Sequence, residues 1–266
     1  MKVTPLDPAK KYTILFTGNS FTYFYDLPHI FTSYAAALGY DFEAVSHTRG
    51  GAELTELADA NAETGCDIDA SLRDRPFDFV VMQEMSTKPA GDPAGFFEGV
   101  RGLYEKIKKN GAKPVMYATW GREDGHETLA EFGWTHESMT WKLAASYHAI
   151  ADEIGASVAD VGVAFNIVYR SHPELLPFIH DGSSHPSEAG SCLAAMTLVA
   201  RITGADMLDI PDSFAPRGAD SAHAGFEANG FTVPEFDILR RAAHDAVFGD
   251  HPIPDEYRID AVGMTD

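Results

Sequence analysis

Four short stretches, far apart in the chain, carry residue types that together suit acyl transfer. Ser20 stands in "TGNSFTYFYDLP" (residues 17–28), directly after the apolar run "YTILF". Gly50 and Gly51 stand in "RGGAEL", Gln83 in "VVMQEMSTKP", and Asp181 and His185 in "HDGSSHPSEAG" (180–190). A serine hydroxyl is a weak nucleophile until an adjacent base takes its proton. His185 is such a base if a carboxylate fixes its tautomer and stabilises the imidazolium, and Asp181 is the nearest one in sequence. Attack on an acyl carbon develops an oxyanion, and each preorganised donor aimed at it contributes roughly 3–4 kcal/mol in known cases. Gly51 offers a backbone N–H with no side chain in the way, Gln83 an amide and Ser20 its own N–H. Each residue also has a plainer reading. Ser20 is a helix cap, His185 a surface histidine before Pro186, Gly50–Gly51 a turn, and Gln83 a partner for buried backbone.

Whether these residues meet depends on the elements that carry them. Apolar runs at 12–18, 41–47, 77–83, 113–120 and 155–161 read as strands, and the third and fourth are continuous enough to be buried on both faces. Helix-period segments lie at 27–38, 53–60, 93–109, 137–154 and 187–203. The clearest is "DPAGFFEGVRGLYEKIKKNG": Asp92 caps it, Pro93 opens it, lysines close it and Gly111 ends it. Strands alternating with helices predict an α/β fold, a three-layer α/β/α sandwich around a flavodoxin-like parallel sheet of order 2-1-3-4-5. Residues 1–204 are expected to form this domain. Residues 205–266, with a helix at about 233–247, are expected to be a C-terminal helical appendage packed on it and not an independent domain. In such sheets ligands bind beyond the carboxyl ends of the strands. Those ends carry Gly18-Asn19-Ser20, His47 to Gly51, Gln83-Glu84 and Thr119 to Arg122, with the His185 block arriving after the fifth strand. Asn19, Trp120 and Arg122 are therefore candidate substrate-binding residues. Trp120 would stack on a sugar or line an acyl pocket, or simply pack; Arg122 would pair with a substrate anion, or stand as a solvated charge.

In this order and at these strand ends, "GNSFT", "RGGAEL" and "DGSSHPSEAG" resemble the blocks of the SGNH (GDSL-type) hydrolases, over roughly residues 12–203. The closest likeness is to a bacterial subgroup with GNSFT, Q-x-x-S-x-x-P and DG-x-H-P-S stretches. The resemblance implies Ser20 as nucleophile, His185 and Asp181 as the rest of a triad, Gly51 as oxyanion donor, and esterase, lipase or carbohydrate-deacetylase activity. Two positions depart from the pattern. Gln83 stands where the superfamily usually has an asparagine donor, and Asp181 lies four residues before His185 where D-x-x-H is usual.

Composition narrows the partners. The 266 residues carry 40 acidic and 20 basic side chains, a formal charge of −20, which repels nucleic acid and anionic membranes. Cys66 and Cys192 form no ligand spacing, and reduced thiols are expected. No apolar leader precedes the first strand and no apolar run reaches the ~18 residues of a membrane helix, so a cytoplasmic protein is expected. No cofactor or resident metal is called for, and a homo-oligomer is compatible with the chain. The expectation is a serine hydrolase acting on a small ester, short-chain because no long apolar lid segment is evident. Two alternatives compete: a non-catalytic small-molecule or glycan-binding protein on the same fold, and a metal-assisted phosphoesterase using His180, Asp181 and His185.

Overall fold

The computed structural model describes residues 5–175, 177–178, 185–214 and 232–262. Five strands lie among them: β1 (Lys11–Gly18), β2 (Asp41–Thr48), β3 (Phe79–Met82), β4 (Lys113–Tyr117) and β5 (Ser157–Ala159). They form one parallel sheet in the order β2-β1-β3-β4-β5, as the alternation of elements predicts. The helices are α1 (Ser20–Tyr23), α2 (Leu27–Ala37), α3 (Leu54–Ala58), α4 (Glu63–Asp74), α5 (Lys88–Gly91) and α6 (Pro93–Asn110) in the first half. The second half adds α7 (Glu127–Phe132), α8 (His136–Ile154), α9 (Val161–Ser171), α10 (Glu188–Thr203) and α11 (Val233–Phe248).

Strand β1 shows why the sheet sits in the middle. Successive side chains point to opposite faces, and Ile14, Leu15 and Phe16 are all fully buried. Ile14 and Phe16 pack with Val81, Val115 and Tyr117 under α2, α9, α10 and α11. Leu15 packs with Val80, Met82 and Met116 under α3, α4, α6 and α8. Truncating a buried aromatic such as Phe16 to alanine would cost about 3–5 kcal/mol. The pairing register aligns the carboxyl ends: Gly18 lies beside Thr48 and Thr17 beside Met82. The loops that follow β1, β2 and β3 therefore start at one level.

Helix α6 follows its sequence signals. The Asp92 side chain accepts from Gly95 N–H, Lys108 and Lys109 lie in the last turn, and Gly111 ends the helix in the left-handed conformation. Besides the short α1, α5 and α7, two longer helices, α4 and α9, have no counterpart among the expected segments. In α4 the buried positions reduce to Thr64, Gly65, Ile68 and Leu72 among polar neighbours, a weak periodic signal. In α9, "VGVAFNIVYRS" is rich in β-branched and aromatic residues that favour strands, and its burial against α8, α10 and α11 overrides that preference. Helix α11 packs on α9 and α10, with Phe236, Leu239 and Ala243 inside the same buried cluster. Among the described residues no helix is long and apolar enough to cross a membrane.

Candidate active site

The chain leaves β1 through Gly18, whose φ of +156° and close surroundings both call for glycine: a Cβ there would stand 2.5 Å from Gln83 Oε1 and 2.6 Å from Thr22 Oγ1. Asn19 comes next and is buried. Its N–H donates to Gln83 Oε1 (2.9 Å), its Oδ1 accepts from Phe21 N–H (3.2 Å), and its Nδ2 donates to Ala52 O (3.0 Å). One side chain thus caps α1 and ties the turn after β1 to the turn after β2. Gln83 Oε1 also accepts from Thr22 Oγ1 (2.8 Å), and its Nε2 donates to Glu84 O. With these bonds made, Ser20 sits at the first position of α1, partly exposed, at the carboxyl edge of the sheet.

The second wall is the turn after β2. Arg49 N–H donates to Gly18 O (3.2 Å), and Gly51 takes a left-handed φ of +69°, with open space around its Cα, at an exposed position. Among the described residues the N–H groups of Ser20 and Gly51 make no hydrogen bond. Helix α3 follows, and its first N–H, Leu54, donates to both carboxylate oxygens of Glu84 (3.1 and 3.2 Å). Met85 N–H donates to the same carboxylate (2.6 Å), and Glu84 N–H donates to Tyr147 Oη (3.1 Å). Burial pushes the Glu84 carboxyl up to about 7, against the lowering effect of the bonds from Met85 and Leu54.

His185 approaches from the far side of the fold. Its Nε2 lies 2.9 Å from Ser20 Oγ. Its ring stacks on Phe24 (centroids 4.3 Å apart, planes at 9°) and meets Phe21 edge-on at 5.8 Å. Phe24 is delivered by a turn in which Tyr25 and Asp26 both have left-handed φ, 53° and 54°. For non-glycine residues this conformation stores roughly 1–3 kcal/mol each. After His185, Pro186 bridges to Phe178, and Ser187 caps α10 by accepting from Gly190 N–H (3.2 Å). Asp181, the expected orienting carboxylate, and His180 lie outside the described residues.

Ser20, Gly51 and His185 are therefore brought to one rim, and four other expected site residues take different places. Gln83 is fully buried beneath Ser20 with its amide committed to Asn19, Thr22 and Glu84, so it supports the turn from below and does not face an oxyanion. Asn19 is likewise an internal strut, not a substrate contact. Trp120 is 1% exposed and sandwiched between Phe21 (4.4 Å) and Phe165 (4.0 Å), which leaves no face for a sugar. Arg122 is half-buried and donates to Ser86 Oγ (2.7 Å), linking the loops after β4 and β3. Sequence reasoning assigned nothing to Glu84 or Phe24. A carboxylate next to Gln83 at a strand end is a detectable signal for the first; nothing local marks the second, because its partner is 161 positions away in the chain.

The fold matches solved structures. A protein from Slackia heliotrinireducens assigned to the SGNH hydrolases is 34% identical, with a TM-score of 0.63 over 73% of this chain and all of that one. A DUF4886 family protein from Bacteroides uniformis superposes with a TM-score of 0.73 at 17% identity, over 93% of this chain and 99% of its own. An acetylxylan esterase from Geobacillus stearothermophilus shares the fold at 15% identity and a TM-score of 0.54, over 76% and 96% of the two chains. Neither a protein-family model nor a curated protein matches the sequence. With a third of its residues shared over the whole length of the Slackia protein, the chain belongs to the SGNH hydrolase family.

Proposed function

We propose that the protein is a serine hydrolase that cleaves a small ester through an acyl-enzyme on Ser20. The observation that carries this reading is the 2.9 Å contact between Ser20 Oγ and His185 Nε2 at the open end of the sheet. In the proposed cycle Ser20 Oγ attacks the ester carbonyl carbon while His185 Nε2 takes its proton. The N–H groups of Ser20 and Gly51 donate to the oxyanion. The tetrahedral adduct collapses, His185 returns the proton to the departing alcohol, and water then repeats the sequence to release the acid. Asp181 is assigned the orienting role from its position in "DGSSHP".

The same reading narrows the substrate to a short acyl group, an acetyl ester above all, including one carried on a carbohydrate. Since Trp120 is enclosed, any sugar specificity would have to come from residues other than this ring. The test is hydrolysis of p-nitrophenyl acetate, butyrate and octanoate, alongside acetylated xylan, by wild type and Ser20→Ala. The expected result is activity falling with acyl length and lost in the variant. Equal rates in the two proteins would overturn the proposal.

A further inference from the structure

A cavity lies away from the Ser20–His185 rim. It encloses about 900 Å³ between α8, α9, α10, α11 and the segment from Gly249 to Ile259, and none of Ser20, Gly51 or His185 lines it. A volume of this size matches sites for small organic molecules. Arg201, in the last turn of α10, is one of its walls.

Arg201 is largely buried and incompletely hydrogen-bonded. Its side chain is 11% exposed, and its Nε is buried without a hydrogen-bond partner. The nearest acid is Asp160, whose Oδ2 stands 3.8 Å from Nη2, beyond hydrogen-bond reach. The other Asp160 oxygen already takes His148 Nε2 at 2.7 Å. A guanidinium has five donors in a planar fork, and leaving a buried charged donor unmatched is among the more expensive defects in a fold. The fork borders an open cavity. The lining also includes His148, His251 and Arg258, the exposed Asp152, and the apolar Val163, Val247 and Ile253. His148 meets Asp160 (2.7 Å), His251 meets Asp245 (3.2 Å) and Arg258 meets Asp255 (3.2 Å), so each of these three has a carboxylate partner in the chain.

We propose that this cavity is a ligand site for an organic anion, whose oxyanion headgroup, a carboxylate or a phosphate monoester, occupies the Arg201 fork while its apolar body lies against Val163, Val247 and Ile253. An oxyanion matches the fork geometry, and the volume exceeds what a bare inorganic ion fills. The site does not depend on the reaction proposed for Ser20.

The test is calorimetric titration of the full chain with hexanoate, phenyl phosphate and inorganic phosphate, at ionic strength matched with sodium chloride. One organic anion is expected to bind saturably at one site per chain, which also separates the two headgroups. Arg201→Met should weaken it by about tenfold to a hundredfold, the range for losing charge-assisted hydrogen bonds. Ile253→Trp, which fills the cavity without touching the arginine, should also abolish binding. His185→Ala should leave it unchanged, which excludes capture at the rim. Melting curves check that each variant folds; in Arg201→Met the buried Asp160 keeps its bond to His148. Three results would overturn the proposal. They are no saturable binding of either organic anion to wild type, affinity unchanged in both cavity variants, or inorganic phosphate binding as tightly as the organic anions.

Discussion

The two halves of the candidate site are held by different physics. Ser20 rests on a lattice of directional hydrogen bonds: Gln83 to Asn19 and Thr22, Asn19 to Phe21 and Ala52, Glu84 to Leu54 and Met85. Nearly all of these groups are buried, so each bond is strengthened by its surroundings and each loss is expensive. His185 is instead held through its ring, between the face of Phe24 and the edge of Phe21, on a segment anchored by the Phe178–Pro186 bridge and the cap of α10. Stacking of this kind contributes roughly 0.5–1.5 kcal/mol per pair beyond area burial and tolerates sliding in the plane. Stacking fixes the plane of the imidazole, and the orienting role proposed for Asp181 would fix its rotation within that plane.

The largest way to break this comparison is to remove the base. His185→Ala should lower kcat on p-nitrophenyl acetate by about 10⁴-fold or more, as when a member of a Ser-His unit is lost, with a smaller change in melting temperature than a fully buried residue would give because His185 is only partly buried. Next is the lattice under Ser20. Gln83→Leu orphans Asn19 N–H and the Thr22 hydroxyl. It should cost roughly 2–4 kcal/mol in urea unfolding, since each buried unsatisfied group costs about 1–3 kcal/mol; a change below 1 kcal/mol would make the lattice decorative.

These two sides were unequally legible in the sequence. The serine, the glycine and the histidine could be found because each sits at the end of a recognisable strand or before a helix. The sheet order followed from alternating periodicity. Gln83 was found as a residue but misplaced in role: a sequence shows an amide at a strand end, not whether it points up to the rim or down to Asn19. Trp120 stays open between stacking on substrate and packing for a related reason, since the two partners that enclose it, Phe21 and Phe165, come from α1 and α9, and strand-favouring residues hide α9. The turn at Tyr25–Asp26 carries no glycine or asparagine to announce positive φ.

The Glu84 carboxyl sharpens the comparison through pH. Its folded value of about 7 lies above the ordinary 4.5, so the folded state holds a proton that the unfolded state releases between these values. Wild-type stability should therefore fall as pH rises from about 4.5 to 7, by a contribution on the order of 3 kcal/mol, and level off above. Glu84→Gln keeps an acceptor for Leu54 and Met85 but cannot ionise. Denaturant melts across this range should show a flatter slope in the variant, and parallel slopes would show that Glu84 is not the titrating group. The smallest effect is expected on the ring side. Phe24→Leu keeps an apolar side chain but removes the stack and some volume, and should cost about 1–2 kcal/mol of stability. It should lower kcat about tenfold by misplacing the base, with KM little changed; an equal rise in KM would point to substrate contact instead.

The central claim is that Ser20 is a nucleophile activated by His185. Reaction with a fluorophosphonate, followed by intact mass and peptide mapping in wild type, Ser20→Ala and His185→Ala, tests it without knowledge of the substrate. The predicted result is one adduct per chain on Ser20, none in Ser20→Ala, and labelling slowed by about a thousandfold or more in His185→Ala. An adduct on another residue, or labelling at the wild-type rate without His185, would contradict the account.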